Sequence, residues 1–269
     1  MFYASNTFTS YNYPPKEADV IFLGIPFVST STSKPAIYGP VMVRESLKML
    51  EDYIPERKLN LFEKLKICDL GDIETVPGSY ELTVKRIRQT IEDIRRENKN
   101  AFIIFIGGEH LITLPITESL KPKTIIHLDA HSDSRSEYLG NKHMHQTWAH
   151  HAGKFAKIIQ IGVTTWNREE KENLRKNNIE FYETEDFIKK HIELKQPVHL
   201  TIDMDVLHGA ETGLPEGRMG IDTLLSILDK VNCSWMDITE IADDKLPSMT
   251  GFAAAHIIKK VLSKLHKLK

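Results

Sequence analysis

Thr124-Ile-Ile-His-Leu-Asp-Ala-His-Ser-Asp133 begins as an apolar, β-branched run and ends in Asp129, His131 and Asp133, three ligand-type side chains spaced two residues apart. In an extended segment the side chains at i, i+2 and i+4 project from one face, so the spacing predicts that all three reach toward one point. A lone Asp or His at a strand end is ordinarily the start of a polar turn. Three in register require partners from elsewhere in the chain.

Two other apolar runs stop in the same way. Phe102-Ile-Ile-Phe-Ile-Gly107-Gly-Glu-His110 opens through two glycines onto a histidine, and His199-Leu-Thr-Ile-Asp203-Met-Asp205 ends in two carboxylates two residues apart. The glycine pair lacks the G-x-G-x-x-G spacing and gives no support to a dinucleotide site. Strand-like runs at 18–25, 65–70, 101–106, 124–129, 157–163, 179–182, 197–202 and 233–238 are separated by helix-like runs. The helical runs lie near 41–50, 81–98, 110–119, 145–152, 168–177, 184–191 and 220–231, with a last one from Gly251 towards Lys267. Strands with almost no polar alternation, spaced by helices, predict an α/β fold with a mainly parallel sheet covered on both faces. In such sheets ligands bind beyond the carboxyl ends of the strands, where these three runs place their chemical residues. No Pro/Gly/Ser-rich linker, charge block or repeat divides residues 1–269, which read as one domain.

Charge excludes some classes of partner. Thirty-five Lys and Arg against 37 Asp and Glu give a formal charge of -2, with no basic stripe to track a phosphate backbone, so nucleic acid is not an expected partner. Met1 to Thr7 has neither a basic nor an apolar signal region, the Ser/Thr-rich stretch 29–33 reads as a loop, and no apolar run is long enough to cross a bilayer. A cytoplasmic protein without membrane contact is expected. Cys68 and Cys233 lie far apart, without a CxxC pattern, and read as small core residues rather than thiolate ligands.

Together the three strand ends offer His110, His131, Asp129, Asp133, Asp203 and Asp205. Four carboxylates in one crevice repel, and without compensation some must protonate or separate. Two divalent cations cancel that charge. Imidazole and carboxylate ligands without thiolate suit Mn2+ better than a structural Zn2+, and a pair of ions about 3.5–4 Å apart can acidify a water into a nucleophile.

Gly107-Gly-Glu-His110, Asp129-Ala-His-Ser-Asp133 and Thr201-Ile-Asp-Met-Asp205 resemble the three metal-binding motifs of the arginase/agmatinase (ureohydrolase) family. Gly24-Ile-Pro26, Gly39-Pro40 with Arg44, Asp69-Leu-Gly-Asp72, Thr212-Gly-Leu-Pro215 and Asp237-Ile-Thr-Glu240 also fall where that family has similar landmarks. The resemblance implies a three-layer α/β/α sandwich and two Mn2+ per chain. One ion would be held by His110, Asp129, Asp133 and Asp203, the other by His131, Asp129, Asp203 and Asp205. A hydroxide between them would attack the guanidino carbon, giving urea and a primary amine. Glu240 matches the acidic residue that pairs with the substrate guanidinium, His145 the histidine proposed to shuttle protons, and Asp133 a further route for the proton. Trimers or hexamers are common in the family, so a homo-oligomer is expected.

The stretch Ser134-Arg-Ser-Glu-Tyr-Leu-Gly-Asn-Lys-His-Met144 resembles the version in microbial agmatinases and lacks the Ser/Asn-rich version with which arginases hold an amino-acid carboxylate. That favours agmatine, cleaved to putrescine in polyamine biosynthesis, while Asn141 leaves arginine open. Arginase, guanidinobutyrase and a metal-binding member without catalysis stand as alternatives, beside a binuclear phosphoesterase and a mononuclear deacetylase-like hydrolase. His208-Gly209 departs from the family pattern, as do the shorter loop to Thr212-Gly213 and Gln146-Thr-Trp-Ala after His145. His208 reads as a residue that hydrogen-bonds its loop. His127 reads as a core histidine, His143, His150 and His151 as surface residues, and Trp148 as either a pocket-entrance or a packing residue.

Overall fold

The sheet is ordered by the level at which its apolar runs stop. The computed structural model describes residues 8–9, 11–31 and 34–265. The readings of Met1 to Thr7, of Thr32 and Ser33 in the Ser/Thr-rich loop, and of the terminal helix beyond Leu265 lie outside the described residues. Among the described residues eight strands form one sheet: β1 (Val20–Ile25), β2 (Ile67–Asp72), β3 (Phe102–Gly107), β4 (Thr124–Leu128), β5 (Lys157–Ile161), β6 (Ile179–Tyr182), β7 (Val198–Asp203) and β8 (Trp235–Thr239). Their order is β2-β1-β3-β8-β7-β4-β5-β6, and every neighbouring pair is parallel.

Alternation along each strand divides the core between the two faces. Val20 and Phe22 of β1 join a cluster with Met42, Val43 and Leu47 of helix Gly39–Met49 and Ala254, Ile257 and Ile258 of helix Met249–Leu262. Ile21, Leu23 and Ile25 join the opposite cluster, with Ile87, Ile91 and Ile94 of helix Tyr80–Glu97 and Leu114 and Ile116 of helix Thr113–Leu120. Both sheet faces are buried, which is why the strands read as continuous apolar runs. Helix Tyr80–Glu97 turns its charged side outward as its pattern predicts, and the side chain of Ser79 caps its start by accepting the Leu82 N–H. A two-stranded hairpin, Tyr53–Ile54 with Leu59–Asn60, is too short to show in the sequence pattern. Among the described residues no helix is long and apolar enough to cross a membrane.

The four central strands end in step. Ile106 of β3 pairs with Ile238 of β8, Ile238 with Ile202 of β7, and Ile202 with Leu128 of β4. One residue further along, Thr239 pairs with Asp203, and Asp129 follows Leu128 directly. The last apolar rung is thus followed by a rung of carboxylates, and the loops beyond it carry the remaining candidates.

The expected strand alternation of Asp129, His131 and Asp133 does not hold. β4 ends at Leu128, and Asp133 has a left-handed backbone, φ 49°. Asp203 and Asp205 are likewise linked by a 3-10 turn, Met204–Val206, in which Asp203 Oδ1 accepts the Asp205 N–H at 2.8 Å. A 3-10 turn brings Asp203 and Asp205 together, and an irregular segment past β4, bridged once to Thr165 at His131, places Asp129, His131 and Asp133.

Several family-like landmarks are structural. Arg44 forms a forked pair with Asp69, Nε–Oδ2 2.8 Å and Nη2–Oδ1 2.9 Å, and also reaches Asp72, tying helix Gly39–Met49 to the end of β2. Gly108 lies against the backbone of Phe27, where an added Cβ would collide with the carbonyl. The glycine pair therefore serves close backbone approach. Replacing Gly108 with Ala is expected to cost about 1–3 kcal/mol through overpacking, read as a drop of several degrees in thermal melting. Gly220→Ala, where the nearest atom is 4.0 Å away, should move the melt far less.

Candidate metal centre

His110 stands at the first of two points on which ligand atoms converge. It follows β3 and is buried, as are Asp129, Asp133 and Asp203. Its Nδ1 lies 3.1 Å from Asp129 Oδ2, 3.4 Å from Asp133 Oδ2 and 3.2 Å from Asp203 Oδ2. Its other nitrogen fixes the tautomer. Thr201 Oγ1 gives its only proton to Asp237 Oδ1 at 2.6 Å, so it accepts from His110 Nε2–H at 2.8 Å. In the neutral ring Nδ1 is then the nitrogen with a free lone pair, buried and without a hydrogen-bond partner among the described residues. Donor atoms that share one ion at about 2.1 Å stand about 3.0–3.4 Å apart. This set fits a cation.

The second point lies on the other side of Asp129. His131 Nδ1 is 2.7 Å from Asp205 Oδ2 and 3.6 Å from Asp129 Oδ1, and its Nε2 is 3.3 Å from Glu216 Oε2. Asp129 thus turns Oδ2 toward His110 and Oδ1 toward His131. Asp203 is placed differently, for Oδ2 faces the first point while Oδ1 caps the Asp205 amide.

His127, expected as a core histidine, is buried and is also part of this centre. Gln160 Nε2 donates to the Ser132 carbonyl at 2.6 Å and to His127 Nδ1 at 3.0 Å, which leaves His127 Nε2–H to donate to Asp129 Oδ2 at 2.6 Å. With its proton committed, the ring orients Asp129 instead of competing for an ion.

A cavity of about 330 Å3 opens onto these groups. Its lining includes His131, Asp133, Asp203, Asp205, His145 and Glu240, together with Arg135, Tyr138, Trp166, Asn167, Glu170 and Leu214. Glu240 follows β8, has φ 60°, and accepts the His110 N–H through Oε1 at 2.9 Å. The Nδ1 atom of His145 is buried without a hydrogen-bond partner among the described residues. Of the seven residues assigned beyond His110, His131, Asp133, Asp203, Asp205, Glu240 and His145 line this crevice, and Asp129 lies beside it between His110 and His131.

Other residues stand apart from it or were missed. Trp148 is fully buried rather than at the entrance, and its Nε1–H donates to Asp133 Oδ2 at 3.0 Å. The ring of His208 is exposed, and it is its backbone N–H that bonds the loop, to Met219 O at 2.9 Å. His143 is exposed, whereas His150 and His151 are half-buried and meet edge to face. Cys68 is buried and Cys233 half-buried, both free. Sequence reading assigned no role to Glu109, although it sits inside its motif. This buried carboxylate accepts from Thr30 Oγ1 at 2.6 Å and from Thr30 N at 2.8 Å, and Thr30 Oγ1 accepts the His145 N–H at 3.2 Å. His199 was missed as well, although a histidine on an apolar strand was a visible signal. Its Nε2–H donates to Asp237 Oδ2 at 2.6 Å.

The model of the arginase family matches residues 18–263. Over 262 residues the chain is 35% identical to an agmatinase of Pyrococcus horikoshii, covering 92% of each protein. It is 33% identical over 259 residues to an N(1)-aminopropylagmatine ureohydrolase of Thermococcus kodakarensis, covering 91% of this chain and 90% of that one. The crystal structure of the agmatine ureohydrolase of Thermoplasma volcanium superposes with a TM-score of 0.86 at 24% identity, over 98% of this chain and 96% of that one.

Crowding sets the protonation of these groups. Burial, reinforced by Asp129, pushes Asp205 up to about 7, and burial with Glu109 pushes Glu240 up to about 8. Burial also raises Glu109 to about 7 against the hydrogen bonds from Thr30. For His110, burial favours the neutral ring, but Asp129, Asp133 and Asp203 outweigh it and hold the ring well above its usual range, so without a cation Nδ1 carries a proton and the lone pair is free only once a cation displaces it. A group whose pKa is raised on folding keeps a proton that the unfolded chain has already released, so stability falls as pH rises between the two values. For Asp205, Glu109 and Glu240 that window runs from the ordinary carboxylate range to pH 7–8. Burial depresses His145, which opposes the trend below its unfolded pKa. Metal-stripped protein should therefore melt at a lower temperature at pH 8 than at pH 6, and the rise in melting temperature on adding Mn2+ should be larger at pH 8, because the ion replaces protons. Scanning calorimetry at both pH values, with and without Mn2+, checks both signs.

Proposed function

Because the chain belongs to the arginase family and is thus a metal-dependent hydrolase acting on carbon–nitrogen bonds, we propose that it cleaves agmatine to putrescine and urea. The division of the two Asp129 oxygens between His110 and His131 carries the binuclear reading. His110, Asp129, Asp133 and Asp203 would hold one Mn2+, and His131, Asp129, Asp205 and the shared Asp203 the other. When bound, such a pair cancels the charge of four carboxylates and lowers the pKa of a water enough to make hydroxide available for attack on the guanidino carbon at neutral pH.

The residues of the chain set up the rest. Glu240 has one oxygen committed to the His110 amide, and its carboxylate faces the cavity, where a permanently cationic, planar guanidinium can form charge-assisted bonds to it. A guanidinium there also reverses the penalty that burial places on the Glu240 charge. An amine leaves only when protonated. Asp133 and His145 both line the cavity, and His145 is kept neutral by burial, ready to accept a proton and return it to the leaving nitrogen.

Charge at the mouth supports a substrate with a cationic tail. Among the described lining residues Arg135 is the only Lys or Arg; its Nε is 3.6 Å from Glu170 Oε1 and its guanidinium lies 4.8 Å from the centre of the Tyr138 ring. Among the described lining residues Glu170 partly offsets the single Arg135 charge, which weighs against a site built for the carboxylate of arginine or of a guanidino acid. The similarity to the N(1)-aminopropylagmatine ureohydrolase favours a second reading, a longer aminopropyl derivative of agmatine.

Urea release measured with Mn2+ across agmatine, N(1)-aminopropylagmatine, arginine and guanidinobutyrate tests these readings. Turnover of one of the two polyamine guanidines should exceed that of the two carboxylates by at least about a hundredfold, on the scale set by an unpaired buried charge. Asp129→Ala and Asp203→Ala should each lower kcat by roughly 10³-fold, the scale of losing metal activation. Glu81→Ala, on the exposed face of its helix, should change it less than about twofold. Equal effects in all three variants would contradict the assignment.

A further inference from the structure

Asp133 is held from one direction by a single short element. Helix Trp148–Ala152 directs its first two residues at it, with Ala149 N–H donating to the Asp133 carbonyl at 3.1 Å and Trp148 Nε1–H to Asp133 Oδ2 at 3.0 Å. The indole is fully buried and wedged between two histidines, with ring centres 4.9 Å from His110 and 4.8 Å from His127. It cannot swing away without leaving that slot. Asp133 itself has the left-handed backbone described above, uncommon outside glycine though more accessible to Asp than to most residues.

The oxygen that receives the indole proton is the one turned toward His110, 3.4 Å from Nδ1. A carboxylate oxygen has two in-plane lone pairs. With one directed to the indole N–H and the other toward the His110 point, Oδ2 is assigned inward, and Oδ1 is left to the cavity that Asp133 lines. Without that donor the carboxylate could rotate about its last bond and exchange its two oxygens.

We infer that Trp148 is a positioning residue, whose N–H fixes which oxygen of Asp133 faces the ion point of His110 and which faces the substrate. This inference rests on the binuclear reading above. It concerns the first ion point only, since the groups that orient His131 and Asp205 are Glu216 and the Ala130 amide.

Trp148→Phe tests it, because phenylalanine keeps an aromatic ring between the histidines and removes only the N–H donor and part of the ring. Manganese affinity is measured by chelator competition on the wild-type and variant chains, together with thermal melting of both in the metal-free state and urea release from agmatine. The expected result is a loss of about tenfold or more in affinity at one of the two sites, the scale seen when an outer partner of a ligand is removed. Affinity at the other site should stay within a few-fold, and kcat should fall more than KM changes. A variant that melts lower without metal but binds both ions as the wild type does would show a packing role only and overturn the inference. Trp148→Leu, lacking both ring and donor, should weaken the same site at least as much; if it binds metal as the wild type does, the inference also fails. Wild-type protein that binds no Mn2+ overturns the binuclear reading and this inference with it, whereas normal wild-type binding left intact by Trp148→Phe overturns this inference alone.

Discussion

Everything around the crevice answers to one electrostatic constraint: four carboxylates are buried together at the ends of two adjacent strands, within reach of the same two imidazoles. Asp129 and Asp203 come off neighbouring strands at one level, so their separation is fixed by the sheet and they cannot relax apart. Protonation is one way to tolerate this, and it shows in the raised values of Asp205 and Asp203. Cations are the other, and they are what the family to which the chain belongs employs. The same crowding that makes the empty cluster costly gives it its affinity for positive charge.

The cluster survives because a second set of polar residues is buried beneath it. His199, Asp237, Thr201 and Thr113 form a continuous hydrogen-bonded line under His110, and Gln160 and His127 do the same under Asp129. Except for Thr113, which lies on a helix, these residues insert polarity into a largely apolar sheet interior. Most atoms of these networks are hydrogen-bonded, His199 Nδ1 being an exception, and the bonded ends fix tautomers. His110 is left with Nδ1 forward, and His127 with its proton forward. Two of the residues that frame the crevice, Asp133 and Glu240, also occupy left-handed backbone that neither favours intrinsically. Local geometry has been bent to serve the site.

Much of this was legible before any coordinates. Apolar runs that end in Asp or His marked three of the four central strands, and the count of carboxylates pointed to two cations rather than one. The mechanism of convergence was not legible, because periodicity describes a strand, whereas the candidates after Leu128 lie in an irregular segment and Asp205 in a 3-10 turn. Trp148 was ambiguous for a related reason: its indole is apolar in outline and polar at one atom, and only the fold decides whether that atom meets solvent or a carboxylate. Glu109 illustrates a further limit. It lies between a glycine and a ligand, yet its partner Thr30 is 79 positions away in sequence, and no local pattern announces a contact of that range.

The divided allegiance of Asp129 also has a thermodynamic consequence. Two ion sites that share a carboxylate are not independent receptors. The first ion to arrive selects the orientation of the shared group and draws on its charge, so the second meets a different protein from the first. Such linkage is reciprocal: whatever the occupant of one site does to the affinity of the other is returned in equal measure. Under the binuclear proposal, a titration of this chain with metal would describe a coupled pair rather than two independent binding constants.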